Sequence, residues 1–203
     1  MRGFPQLTTI EKEVLRKYLD TLTIAPRTTK SPLCIATIGI PGSGKTTVCK
    51  MLCRRITATL ISYSTVQRSL EQSGVPLRSD SSNTVSLHAA KYVLKTGGNV
   101  ALDGDHVETA QRKQLATLMN KNGIHVSFVH VQTHLKQLLS DETVAERLQV
   151  LMQRLPLHYV WSERSNSWEP RAIDRSITLS IDTSSPRFPK ALELLAKHLS
   201  AQH

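Results

Sequence analysis

Gly39-Ile40-Pro41-Gly42-Ser43-Gly44-Lys45-Thr46 matches the spacing of a loop built to hold a chain of phosphates. Its glycines permit a tight main-chain path and let N–H groups approach phosphate oxygens. Lys45 is the ammonium that reaches the terminal phosphates, and the Thr46 hydroxyl is a magnesium ligand. A helix starting near Lys45 adds unpaired N–H groups and the positive end of its dipole. Gly39, Pro41, Gly42, Ser43, Gly44, Lys45, Thr46 and Thr47 form the candidate nucleotide-binding set.

The carboxylate that such a loop needs belongs at the end of a neighbouring buried strand. Val100-Ala101-Leu102-Asp103 supplies it. Asp103 reads either as a magnesium-positioning group or base, or as a cap of the next helix. Thr46 and Asp103 are the candidate metal pair. Asp105 and His106 follow, and Asp105 either faces the same cleft or caps the next helix. Cys49 and Cys53 are four apart on one helix face; without paired histidines they read as packing rather than a zinc site. Tyr159, Trp161 and Trp168 fall near Arg164 and Arg171, and either stack bases of a single strand or anchor a lid.

Alternating elements must place these residues. Thr9 to Leu22 reads as a helix, with Thr8 and Glu11 at capping-box spacing. Pro26 to Pro32 is a connector. Leu33–Ile38 is a short apolar run expected as a strand buried on both faces, Ala58–Ser62 reads as another buried strand, and Asn99–Asp103, Ile124–Val131 and Ile177–Ile181 read as the third, fourth and fifth strands. Helices are expected over 46–56, 83–95, 108–122 and 189–200, with leucines at helical spacing over 135–155 and a break near Ser140-Asp141. Residues 67–80 read as a polar excursion. Residues 156–175 read as an irregular segment of the length used for lids and binding loops. Strand and helix alternate five times, the pattern of a parallel sheet covered on both faces, with ligands at the carboxyl ends of its strands.

Composition narrows the partners. The 203 residues carry 26 Lys and Arg against 16 Asp and Glu, a formal charge of +10. Such a balance favours polyanions, though a merely solubilising surface is the competing reading. Between 42 and 78 stand six basic residues (Lys45, Lys50, Arg54, Arg55, Arg68, Arg78) against Glu71 alone. No apolar run is long enough to cross a bilayer. Three cysteines (Cys34, Cys49, Cys53) in apolar surroundings read as reduced thiols. An intracellular protein, cytoplasmic or nuclear, with no membrane association is expected.

From about Cys34 to Ser184 the sequence resembles small P-loop kinases of the polynucleotide 5′-kinase and zeta-toxin type. The resemblance is carried by residues 39–47, by Gly98-Asn99-Val100-Ala101-Leu102-Asp103-Gly104 with Arg112 beyond it, by Glu146-Arg147…Arg154, and by Ile181-Asp182-Thr183-Ser184. It implies an α/β P-loop domain with strand order 2-3-1-4-5, helices on both faces and an arginine-bearing lid. Residues 1–30 would form an N-terminal helix and connector, and 31–203 the kinase domain, with the lid about 141–175. ATP or GTP with Mg2+ would be used. Lys45, Asp103, Arg147 and Arg154 would be catalytic; the two arginines match the lid and, seven apart, share a helix face. Ser64, Arg68, Asp105 and Arg112 would serve the substrate side. Ser64 stands where these kinases commonly place an aspartate that accepts the hydroxyl proton; serine is a poor base, so Asp103 or Asp105 takes that role, or activity is low. The expected reaction is γ-phosphoryl transfer to the 5′-hydroxyl of RNA or DNA. The alternatives are a nucleoside or sugar-nucleotide kinase, or a catalytically weak NTP-binding module engaging RNA or a protein.

Overall fold

The computed structural model describes residues 4–74, 80–134, 138, 159–170 and 177–201. At its centre lies β1 (Leu33–Ile38), every residue of which is buried. Alternation sends Cys34, Ala36 and Ile38 to one face of the sheet and Leu33 and Ile35 to the other, each into its own apolar cluster. Burying such side chains stabilises the fold by about 1.5–3 kcal/mol apiece. β2 (Ala58–Ser62), β3 (Asn99–Asp103), β4 (His125–Gln132) and β7 (Ile177–Asp182) complete a five-stranded sheet in the order β2-β3-β1-β4-β7. All its pairings are parallel. This is the expected α/β P-loop architecture, with the last sheet strand fifth in the expected order.

Helices cover both faces. α1 (Thr9–Asp20), α3 (Tyr63–Glu71), α4 (Ser81–Lys95) and α5 (Thr109–Asn120) contribute Val14, Leu70, Val93 and Leu118 to the first cluster. α2 (Lys45–Ile56) and α6 (Phe188–Ala201) contribute Leu52 and Leu192 to the second. The capping box at α1 forms as expected: Thr8 N–H donates to the Glu11 carboxylate at 2.8 Å, and Glu11 N–H donates to Thr8 Oγ1 at 3.2 Å. α1 is fixed to the sheet as well, because Ser62 N–H donates to the Tyr18 hydroxyl at 3.1 Å. Among the described residues, no helix is long and apolar enough to cross a membrane.

Three expectations needed correction. β2 is an edge strand whose Thr59 and Ile61 are buried while their neighbours are not, because only one of its long sides pairs. The polar excursion begins too early: residues 67–71 continue α3, held by the buried Val66 and Leu70. Within the supposedly irregular segment, β5 (Tyr159–Ser162) and β6 (Ser167–Pro170) form an antiparallel hairpin. Trp161 and Trp168 meet across it edge-to-face at 5.7 Å, and Asn166 turns the chain with φ 47°. Tyr159 and Trp168 pack with Ile40 and Leu138, so these aromatics anchor the hairpin to the core. Arg78, Arg147, Arg154 and Arg171, and the expected lid helix with them, lie outside the described residues.

Candidate functional site

The chain leaves the buried end of β1 into the glycine-rich loop, where the left-handed Gly42 and Gly44 (φ 81° and 88°) turn it into α2. α2 begins with no side-chain cap and no acid in its first turn, so its N-terminal N–H groups and positive dipole end are left for an anion. A Cβ on Gly39 would sit 2.5 Å from the Val131 carbonyl oxygen and 2.7 Å from Ser43 Oγ. Ser43 Oγ is buried and has no hydrogen-bond partner among the described residues. From the other side, Thr183 Oγ1 donates to the Ser43 carbonyl at 2.9 Å and braces the loop against β7.

Lys45 Nζ donates to the carbonyls of Gly39 and Ile40 at 2.8 and 2.9 Å. It also pairs with Asp105 at 3.0 Å. Thr46 Oγ1 donates to Asp103 Oδ2 at 2.7 Å, across the gap between α2 and the end of β3. A hydroxyl and a carboxylate oxygen side by side are hard donors of the kind magnesium prefers. Loop, lysine and donor pair together fit a triphosphate with its metal ion.

These groups open onto a cleft of 660 Å³. Pro41, Gly42, Lys45 and Thr46 line it from the loop, and Asp103, Asp105 and His106 from the end of β3. Asp105 thus faces the cleft rather than capping α5, whose start at Glu108 has no side-chain cap. Ser64 lines the cleft too, its Oγ 3.0 Å from Ser62 Oγ. Thr47 is exposed outside it. A smaller cleft of 240 Å³ is lined by Gln132, His134, Arg164 and Asp182, and Thr183 joins it to the loop through its bond to the Gln132 carbonyl.

Two expected substrate residues are elsewhere. Arg112 is fully buried; its guanidinium donates to the carbonyls of His106 and Val107 at 3.0 and 2.6 Å and to Thr109 Oγ1 at 3.0 Å. It holds the loop after β3 from beneath instead of meeting an acceptor. Arg68 is exposed and does not line the cleft; the face of α3 turned to the cleft carries Ser64, Gln67 and Glu71, three and four residues apart. The basic side chains of Lys50, Arg54 and Arg55 lie on the exposed side of α2, and none of them lines the cleft.

Sequence reasoning missed Tyr63, Asn83 and the use of His106. His106 Nδ1–H donates to the Thr37 carbonyl at 3.0 Å, while Nε2 lies 3.0 Å from the Tyr63 hydroxyl, itself 3.0 Å from Asn83 Oδ1. His106 takes a left-handed φ of 35°, a conformation costing a non-glycine residue about 1–3 kcal/mol and offset by these bonds. Burial lowers its affinity for a proton and raises the Tyr63 hydroxyl above the phenol range. The ring is therefore neutral near pH 7 and acts as a strut between β1, the loop after β3 and α3. The signal available in sequence was its position directly after Asp105.

Residues 34–150, more than half of the chain, match the family model described as AAA domain. The chain belongs to this AAA domain family. No curated protein sequence matches it. Among solved structures, this AAA domain is similar to APE1195, with a TM-score of 0.62 at 16% identity, covering 86% of this chain and 98% of the other. It is also similar to the Mycobacterium tuberculosis APS kinase CysC in complex with AMPPNP and APS, with a TM-score of 0.55, 14% identity and coverage of 84% and 97%. A third likeness is to Chaetomium thermophilum Kti12 in complex with ADP-AlF3, with a TM-score of 0.53, 21% identity and coverage of 83% and 97%. At these identities the likeness establishes the fold, which is of P-loop kinase type.

Proposed function

We propose that this AAA domain is a phosphotransferase that moves the γ-phosphoryl group of ATP or GTP to a hydroxyl acceptor. The observation that carries the reading is the 2.7 Å contact between Thr46 Oγ1 and Asp103 beside a helix start with no cap of its own. The kinase-type fold, and the nucleotides named with CysC and Kti12, support it. Gly42, Gly44 and the first turn of α2 bind the phosphate chain, Lys45 holds its terminal groups, and Thr46 with Asp103 holds Mg2+. When bound, the metal ion neutralises charge on the transferring group. The smaller cleft beyond Thr183 offers amide, imidazole and guanidinium groups to a nucleobase.

Asp105 is the base in this reading. It supplies the carboxylate missing at Ser64, and it becomes available when phosphate draws Lys45 away from it. Arg147 and Arg154 are retained as the cations that meet the transferring phosphoryl group. Charge alone, a formal +10, points to the 5′-hydroxyl of RNA or DNA, whereas the lining of the cleft points to a small acceptor.

The test is incubation with γ-labelled ATP and GTP against 5′-hydroxyl oligonucleotides and a panel of small hydroxyl compounds. Transfer of label that disappears in Lys45→Ala together with triphosphate binding supports the reading. Unaltered triphosphate affinity in that variant refutes it.

A further inference from the structure

The far wall of the 660 Å³ cleft differs in chemistry from its floor. Ser64, Gln67 and Glu71 line one face of α3, opposite Ser81, Ser82 and Asn83 at the start of α4. Gln111 adds a further amide from α5. These groups are hydroxyls, amides and a carboxylate. Among the described lining residues the one cation is Lys45, which already holds Asp105 and two main-chain carbonyls. Against it stand three carboxylates, those of Asp103, Asp105 and Glu71. His106 adds no charge near neutral pH, because burial lowers its proton affinity.

Among the described residues a phosphate on the acceptor would meet carboxylates there and no unpaired ammonium or guanidinium, the partners that phosphate recognition ordinarily uses. A hydroxyl meets complementary groups. Gln67 Nε2 donates to Glu71 Oε1 at 2.9 Å, so the exposed pair keeps a second carboxylate oxygen to accept and an amide N–H to donate. Adjacent hydroxyls of one molecule, each both donor and acceptor, satisfy such a pair.

Resting on the phosphotransfer reading above, we infer that the acceptor is a neutral polyhydroxylated small molecule, of the free sugar, polyol or unphosphorylated nucleoside class, held by its hydroxyls at Gln67, Glu71 and Asn83. Its reacting hydroxyl lies at Asp105. The hydroxyl oxygen forms a bond to the γ-phosphorus while the bond from that phosphorus to the β–γ bridging oxygen breaks. The bond's electron pair leaves with the nucleoside diphosphate, and the hydroxyl proton passes to the Asp105 carboxylate and then to water. The strongly basic surface of the chain plays no part in choosing this acceptor.

The experiment measures phosphoryl transfer by the full chain, with ATP and GTP in turn. The acceptors are ribose, glucose, glycerol, myo-inositol and the four ribonucleosides, each beside its monophosphate, and a 5′-hydroxyl oligonucleotide. The expected result is a neutral acceptor whose kcat/KM exceeds that of its monophosphate and of the oligonucleotide by about tenfold or more. Glu71→Gln then raises KM for that acceptor by about tenfold, with the Kd of a fluorescent triphosphate analogue unchanged; Glu71 is exposed, so folding is not at issue. Preference for a phosphorylated acceptor or the oligonucleotide overturns the inference and leaves phosphotransfer standing. So does an unchanged KM in Glu71→Gln, or turnover of none of the neutral compounds by a chain that binds the analogue. Failure to bind the analogue at all overturns the donor-side reading, and this inference with it.

Discussion

Replacing Asp105 with asparagine is expected to move donor binding and turnover in opposite directions. In the structure Asp105 lies 3.0 Å from Lys45 Nζ, with the lysine side chain 10% exposed and the aspartate 61%. A triphosphate has to draw Lys45 from that carboxylate, so the native chain gives up an ion pair on binding and the variant does not. At this separation the pair is worth about 1.4 kcal/mol with the dielectric of water, and exposed pairs measure about 0.2–1 kcal/mol. The exposure of Asp105 places the contribution near about 1 kcal/mol, or about fivefold in Kd. Lys45 keeps its bonds to Gly39 and Ile40, so the loop stays in place. Turnover loses its proton acceptor and falls by about 10²–10⁴. Titration with a fluorescent non-hydrolysable triphosphate, at low and at physiological salt, reads the first effect, and steady-state assay of ADP release reads the second. The gain in affinity shrinks as salt rises. Weaker nucleotide binding in the variant would mean that Asp105 belongs to the nucleotide clamp, and unchanged turnover would remove it as the base.

Three further outcomes follow from the same geometry. Gly39→Ala, whose added carbon would lie 2.5 Å from the Val131 carbonyl oxygen, is expected to lose about 1–3 kcal/mol of stability and most triphosphate affinity, read by urea unfolding and analogue titration. Arg112→Met strips the carbonyls of His106 and Val107 of their donors and is expected to cost about 3 kcal/mol in urea unfolding; a change under about 1 kcal/mol would deny its role as a brace. His130 is buried, its Nε2 has no partner among the described residues, and its pKa falls to about 4, through desolvation first, with Glu169 opposing and Arg112 adding to the fall. An imidazole that resists protonation in the fold contributes fully above the unfolded value of 6.5, and the contribution is lost as pH falls from there towards about 4. Unfolding titrations at pH 7.5 and 4.5 are therefore expected to differ by up to about 3 kcal/mol more in the native chain than in His130→Leu.

The donor side was legible because its chemistry is local. Eight consecutive residues dictate the loop, and the apolar run before it and the helix after it leave one place for it in a parallel sheet. Asp103 was legible for a similar reason, as the polar end of a buried run. The acceptor side was not, because it is assembled by packing. Which face of α3 turns inward is decided by Val66 and Leu70 entering the core, and that selects Gln67 and Glu71 over the more suggestive Arg68. Arg112 looked like an anion binder in sequence, but two carbonyls of a strained loop claimed its guanidinium. The hairpin at 159–170 was hidden by its shortness: four-residue strands carry too few alternations to show a period, although Ser165-Asn166 between the two tryptophans marked the turn.

The bond from Ser62 to the Tyr18 hydroxyl bears on where this folding unit begins. The family match starts at residue 34, yet Val14 and Tyr18 lie in the same apolar cluster as Ile61 and Leu102. A fragment cut at the family boundary would bare that greasy patch and free an outward main-chain donor on the border strand, a combination that invites strand-to-strand polymerisation. The helix ahead of the nucleotide-binding region thus shares the core of the sheet it covers, and the limits of the homology are narrower than the limits of that core.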